Sequence, residues 1–204
     1  MALAVLLSGV LHALLPDQIV IGPQLLYLAC VSVLLIALVL GDPGRIDRDS
    51  RLLRWLTGIL IAFMTLANII AGLRIVVGIL SEQSFWNSAS ELLLSGGVVW
   101  ATNVITFALW YWDLDGGGAA ARARGTGGEP AFVFPEMTHT DHVREGWYPT
   151  FVDYLAFSFN TATAFSPTDV SAVKPWAKLL MVIEAMLSLG LGALVIARAV
   201  NVMT

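Results

Sequence analysis

Seven consecutive residues, Thr163-Ala164-Phe165-Ser166-Pro167-Thr168-Asp169, hold three hydroxyls and a carboxylate. Oxygens of this kind replace the water shell of hard cations, so the chemistry on offer is cation coordination rather than bond making. One reading is a constriction lined by the hydroxyls of Thr163, Ser166 and Thr168, with Asp169 at its mouth and Ala164, Phe165 and Pro167 completing the turn. Ser166-Pro167-Thr168-Asp169 is equally a good turn sequence, and Asp169 or Ser171 can cap a following helix. A lined passage and a buried capping turn are both open on these residues.

Two further polar residues lie deep in apolar runs. Glu184 comes nine residues after Pro175, about 13 Å along a helix, where an ionisable group is costly unless paired or hydrated. Asn103 lies ten residues before Asp113, at nearly the same depth. The pair is expected either to hydrogen-bond between two helices or to leave Glu184 facing a water-filled cavity. Asn68 reads as glue between helices, and Arg74 and Arg198 as long side chains that reach an interface. Gly190 and Gly192 mark a bending point or a close helix contact.

His139, Asp141, His142 and Glu145 have ligand chemistry, but no rigid element holds them; a solvated loop is expected, with no metal. Ser158, Ser166 or His142 alone do not make a catalytic site, since no nucleophile and base pair emerges. The chain is therefore not expected to be an enzyme or to carry a cofactor. Gly116-Gly117-Gly118, Gly125 and Gly127-Gly128 lack the preceding strand and the lysine of a phosphate loop.

The elements that must position these residues are apolar helices. The 204 residues are 57% hydrophobic and 13% charged, with mean hydropathy +0.79, whereas soluble domains are about a quarter charged. The expected fold is an all-α integral membrane protein, with four to five hydrophobic helices plus a short re-entrant helix. The formal charge of -4 is confined almost wholly to the loops, so the expected partners are the lipid bilayer and other membrane chains, not nucleic acid. Cys30 is the only cysteine, which excludes an intrachain disulfide. The start lacks a basic region and a small-residue cleavage pattern, and is expected to belong to the mature fold.

Along the chain, 2–15 is a first apolar run, short of the ~30 Å hydrocarbon thickness as a helix. A second helix opens at Pro23 and runs to about residue 40. The linker through Arg54 holds four arginines and three aspartates, and the third helix spans 51–80. These form an N-terminal unit of transmembrane helices over 1–88. In the remainder, 89–204, an outer helix covers 89–112 and closes on Trp110, Tyr111 and Trp112, aromatics suited to a membrane interface. The connection 114–148 is glycine-rich and polar, and is expected to lie outside the bilayer without burying a core.

Residues 151–163 are too few to cross a bilayer, at about 20 Å of helix, and too apolar for a solvent loop. Thr150 and Asp153 fit a capping box at the start of this segment, and Pro167 disfavours helix just before it. A short helix that dips in and returns would point the negative end of its dipole at the turn 164–170, favouring cations there. The last helix, 175–202, is about 42 Å long and must tilt, bend or protrude.

Residues 89–202 resemble the pore module of the two-transmembrane potassium-channel-like family, with outer helix, pore helix, filter and inner helix in that order. The family's filter reads Thr-Thr-Val-Gly-Tyr-Gly-Asp; in register this chain keeps Thr163 and Asp169 and replaces both glycines, by Ser166 and Thr168. Pro167 and the missing glycines argue against a ladder of dehydrating carbonyls. The whole chain also resembles uncharacterised bacterial membrane proteins carrying the string Phe165-Ser166-Pro167-Thr168-Asp169.

The resemblance implies a multi-pass protein of the bacterial inner membrane that self-associates, as a homotetramer, and passes monovalent cations through a pore loop without the glycine pair. A non-conducting scaffold or accessory subunit with a degenerate channel-like fold is the alternative. Orientation is contested, because the basic residues of 42–54 and 114–148, with Lys174 and Lys178, share one side. The positive-inside rule places that side in the cytoplasm and the resemblance places it outside.

Overall fold

The computed structural model describes residues 1–41, 51–81, 86, 88–138, 146–164 and 169–203. Its helices are α1 (Ala2–His12), α2 (Gln24–Gly41), α3 (Arg51–Leu80), α4 (Ala89–Leu114), the short α5 (Ala119–Ala123), α6 (Phe151–Thr163) and α7 (Pro175–Met203). Two short strands, β1 (Phe132–Val133) and β2 (Ser171–Ala172), pair antiparallel, with Phe132 opposite Ala172. Three helices, α3, α4 and α7, are long and apolar enough to cross a membrane; α1 and α2 are shorter apolar helices.

Local chemistry sets several of these bounds. The Ser88 hydroxyl accepts from the Glu91 amide at 3.2 Å, satisfying one of the free donors at the start of α4. At α6 the Thr150 and Asp153 capping box is present, and Asp153 Oδ2 accepts from the Thr150 amide at 2.7 Å.

α4 is the central post. Of the most apolar stretch of each long helix, 72% is buried in α4 against 28% in α3 and 22% in α7. α1, α3, α6 and α7 all pack on it. At Gly96 the fit to α7 is close, since a Cβ there would sit 2.7 Å from Val195 Cγ1. Gly190 and Gly192 both lie inside α7. α7 continues as helix through both, and a Cβ on either meets nothing within 4 Å, so neither is a close contact within the chain.

The apolar core joins the two halves of the sequence. One cluster packs Val5, Tyr27 and Leu60 against Ile105, Leu109 and Phe151. A second brings Leu15, Ile19 and Ala71 onto Leu92, Val99 and Val195. The third is aromatic and includes Phe107, Tyr111, Phe132, Phe134, Tyr154 and Phe157.

That third cluster corrects the expectation for the connection. Ala131, Phe132 and Phe134 are buried, and the chain after α4 turns sharply through Gly116, Gly117 and Gly118, at φ values of 56°, 86° and 97°. Only glycine adopts such a run at little cost, and Gly127 lies so near that its Cβ would meet Gly116 O at 2.7 Å. The glycines build a tight cap; they do not form a loose linker. Tyr111 is likewise not an interface marker, being fully buried.

Three contacts give the course of α6. The Phe151 ring meets Trp112 at 6.2 Å, Ser158 Oγ lies 2.8 Å from Val104 O, and Phe159 meets Trp100 edge-on at 5.6 Å. α6 therefore enters at the C-terminal end of α4, runs back along it, and stops near its middle. β2 lies against β1 at the entry end again, and Val173 N donates to Ala131 O at 2.9 Å. The chain goes halfway down α4 and returns.

Candidate functional site

The expected lining residues are only partly described. Phe165, Ser166, Pro167 and Thr168 lie outside the described residues, as do His139, Asp141, His142 and Glu145. Thr163, half-buried at the end of α6, donates its hydroxyl to Asn160 O at 3.0 Å. Ala164 is exposed and holds φ 53°, in the left-handed region, which costs an alanine roughly 1–2 kcal/mol. Its amide still bonds back to Asn160 O at 3.3 Å, closing the helix. Asp169 is exposed on the far side of the turn, and Asn160 is exposed on the last helical turn before it.

Beside the middle of α6 stands a buried carboxyl. Glu184 of α7 has no exposed surface and takes a hydrogen bond from Tyr111 Oη of α4 at 2.5 Å. Its other oxygen bonds to Ser158 Oγ of α6, which also lies 2.8 Å from Val104 O. Ser158 owns one hydroxyl proton. It either donates to Val104 O and accepts from a protonated Glu184, or donates to Glu184 and leaves the carbonyl. No cation touches the carboxyl among the described residues. The group ties α4, α6 and α7 together at the level where α6 descends.

Glu184 and Asn103 do not meet, contrary to the expected pairing. Asn103 Nδ2 donates to Ser188 Oγ, one turn further along α7, at 3.0 Å. Asn103 Oδ1 accepts from Asn68 Nδ2 at 2.9 Å, and Thr102 Oγ1 donates to Asn68 Oδ1 at 2.7 Å. This amide ladder joins α3, α4 and α7. It floors a cavity of about 290 Å³, walled by apolar residues such as Leu73, Trp100, Leu187 and Leu194.

Above the bundle, a second buried carboxyl organises the cap. Asp115, fully buried, accepts from Tyr154 Oη at 2.5 Å and from the Ala131 amide at 2.6 Å. Arg122 donates to the backbone carbonyls of Asp115 and, at 2.8 Å, of Trp112, and its guanidinium lies 5.0 Å from the Tyr154 ring centre. The cap thus fixes both the start of α6 and the strand that returns beside it. Arg74 differs from the reading of a side chain reaching outward; it donates to Val20 O at 2.7 Å and to Gln18 O at 3.2 Å, closing the loop after α1.

Tyr111, Ser158, Asp115, Tyr154, Arg122 and Ser188 were not legible as site residues. Each is an ordinary residue type for its segment, and only the packing of separate helices brings it to a partner. Among the described residues no group of three His, Cys, Asp or Glu stands together to hold a metal. Comparison with family models, with curated proteins and with solved structures finds no match to this chain.

Proposed function

We propose that this chain is an integral membrane protein that assembles as a homotetramer around the end of α6 and the turn after it, and passes monovalent cations along that axis. The observation that carries the reading is the course of α6: it stops near the middle of α4, while β2 lies back at the end where α6 began. Such a path brings non-helical backbone to mid-height, which is tolerated in a bilayer only when buried in protein or facing water.

Three features support an axis of cation-attracting character. The C-terminal end of α6 carries the negative end of its dipole. Exposed Asn160 and Asp169 flank the turn, and α7 leaves most of its apolar surface uncovered by its own chain. One chain supplies one such turn, so a closed passage needs several copies around a symmetry axis. The hydroxyls of Ser166 and Thr168 belong to this reading by sequence, as does a bacterial inner membrane by resemblance.

Purified protein in planar bilayers tests the proposal. The expected result is a cation current that falls several-fold in Asp169→Asn, from particles with fourfold symmetry. A proven oligomer that carries no current under any ionic condition would instead favour a non-conducting scaffold. The Thr163 hydroxyl donates its proton to Asn160 O, which leaves its oxygen lone pairs open to an ion.

A further inference from the structure

Away from the re-entrant turn, α2, α3, the end of α1 and the segment that follows it line an open-sided cavity of about 240 Å³ whose walls are almost wholly hydrocarbon, from residues such as Ile19, Ile21, Leu26, Leu66 and Ile70. A cavity of roughly 150 Å³ is enough to hold benzene. One polar ring is set into this wall. His12 is 5% exposed, borders the cavity, and makes no side-chain hydrogen bond among the described residues. A neutral imidazole carries one donor and one acceptor, and leaving either unmet in an apolar site is costly.

The surroundings select among ligands. His12 lies 4.0 Å from the Tyr27 ring, and Tyr27 stacks at 5.4 Å on Phe63, so one side of the cavity is an aromatic wall. Cys30 also borders the space, but His12 and Cys30 have no third His, Cys, Asp or Glu beside them among the described residues, so a metal is poorly served. Water needs two to four polar partners and finds few here. A flat ring with a hydrogen-bonding carbonyl suits the site: the ring packs on aromatic and aliphatic walls, and the carbonyl accepts from the imidazole N–H. Ile21, Leu26 and Leu66 are 57%, 49% and 58% exposed at the rim, which gives an apolar tail a way out of the bundle.

We propose that this cavity binds a lipid-soluble quinone-class molecule, with a ring carbonyl hydrogen-bonded to His12 and the tail leaving between α2 and α3. The site is separate from the turn at Asp169, and the proposal stands whether or not the chain conducts.

The full chain in lipid nanodiscs, with 15N-labelled histidine, tests it by titration with decylubiquinone and, separately, with hexadecane. The chain has three histidines, so the His12 imidazole signals can be assigned by a single substitution. The expected result is saturable movement of the His12 nitrogens with the quinone and none with hexadecane, and binding at least tenfold weaker in His12→Phe, which keeps the ring but loses both nitrogens. Phe63→Ala is expected to weaken binding as well. Unmoved His12 signals in the unmodified chain, equal effects of hexadecane, or undiminished binding by folded His12→Phe would each overturn the assignment.

Discussion

Glu184 and Asp115 are both buried carboxyls that accept a tyrosine hydroxyl at 2.5 Å, yet their surroundings differ. Asp115 sits in a cap with a backbone amide on its second oxygen and the Arg122 guanidinium on its own carbonyl. Glu184 sits within the bundle among hydroxyls only, from Tyr111 and Ser158. The first arrangement gives its carboxyl a fixed amide donor and a nearby cation. The second offers a carboxyl no ionic partner, and it holds three helices through shared hydroxyl protons. One is a structural clasp outside the bundle, the other a joint between helices held by hydroxyl groups.

Removing each clasp is the sharpest way to separate them. Glu184→Leu leaves the Tyr111 hydroxyl without an acceptor and Ser158 with only Val104 O; a loss of about 3 kcal/mol is expected from orphaned donors and altered packing. Glu184→Gln keeps the volume and one acceptor and should cost about 1 kcal/mol. Unfolding of both variants in the same detergent checks the difference, and equal stability of the two would mean the hydroxyl network matters little.

Asp115→Ala comes next, with a loss of about 2 kcal/mol as Ala131 N–H and Tyr154 O–H lose their acceptor. Its effect should be local. Amide exchange is expected to quicken at Ala131 and at Val173, whose amide bonds Ala131 O, while the middle of α4 stays protected. Quickened exchange throughout α4 would erase the distinction between clasp and joint.

The amide ladder below Glu184 is the weaker neighbour. Asn68→Leu should cost about 1 kcal/mol, in line with hydrogen bonds between apolar helices, and should leave the Glu184 contacts in place. A loss as large as that of Glu184→Leu would show that the two centres act as one. The smallest expected effect is at the turn: Ala164→Gly relieves the left-handed strain at φ 53° and should raise stability by about 0.5–1 kcal/mol. If it also changes current, the strain belongs to function rather than to folding alone.

Much of the architecture was legible from patterns that act over short distances. The apolar runs, the Thr150 and Asp153 cap and the brevity of 151–163 are local signals, and α6 spans Phe151–Thr163 with that cap in place. The site was legible only in outline. Glu184 and Asn103 stood out because charge and amide groups are rare in apolar runs, but depth along separate helices did not predict who would meet whom. Rotation about each helix axis decides that, and it turned Asn103 to Asn68 and Ser188 and Glu184 to Tyr111 and Ser158. The connection was misread because its glycines and charges hide three buried apolar positions, Ala131, Phe132 and Phe134.

By itself the sequence determined that the chain is helical and strongly apolar, with a capped helix of 13 residues before a long last one. Composition, period and capping are sufficient for that, because they depend on neighbours along the chain. Tertiary structure decided that α6 runs halfway along α4 while β2 lies back where α6 began, that two tyrosines close on two buried carboxyls, and that His12 borders a cavity. Those facts depend on how helices rotate and pack against one another, and residues 39 or 73 positions apart become partners only when that packing is complete.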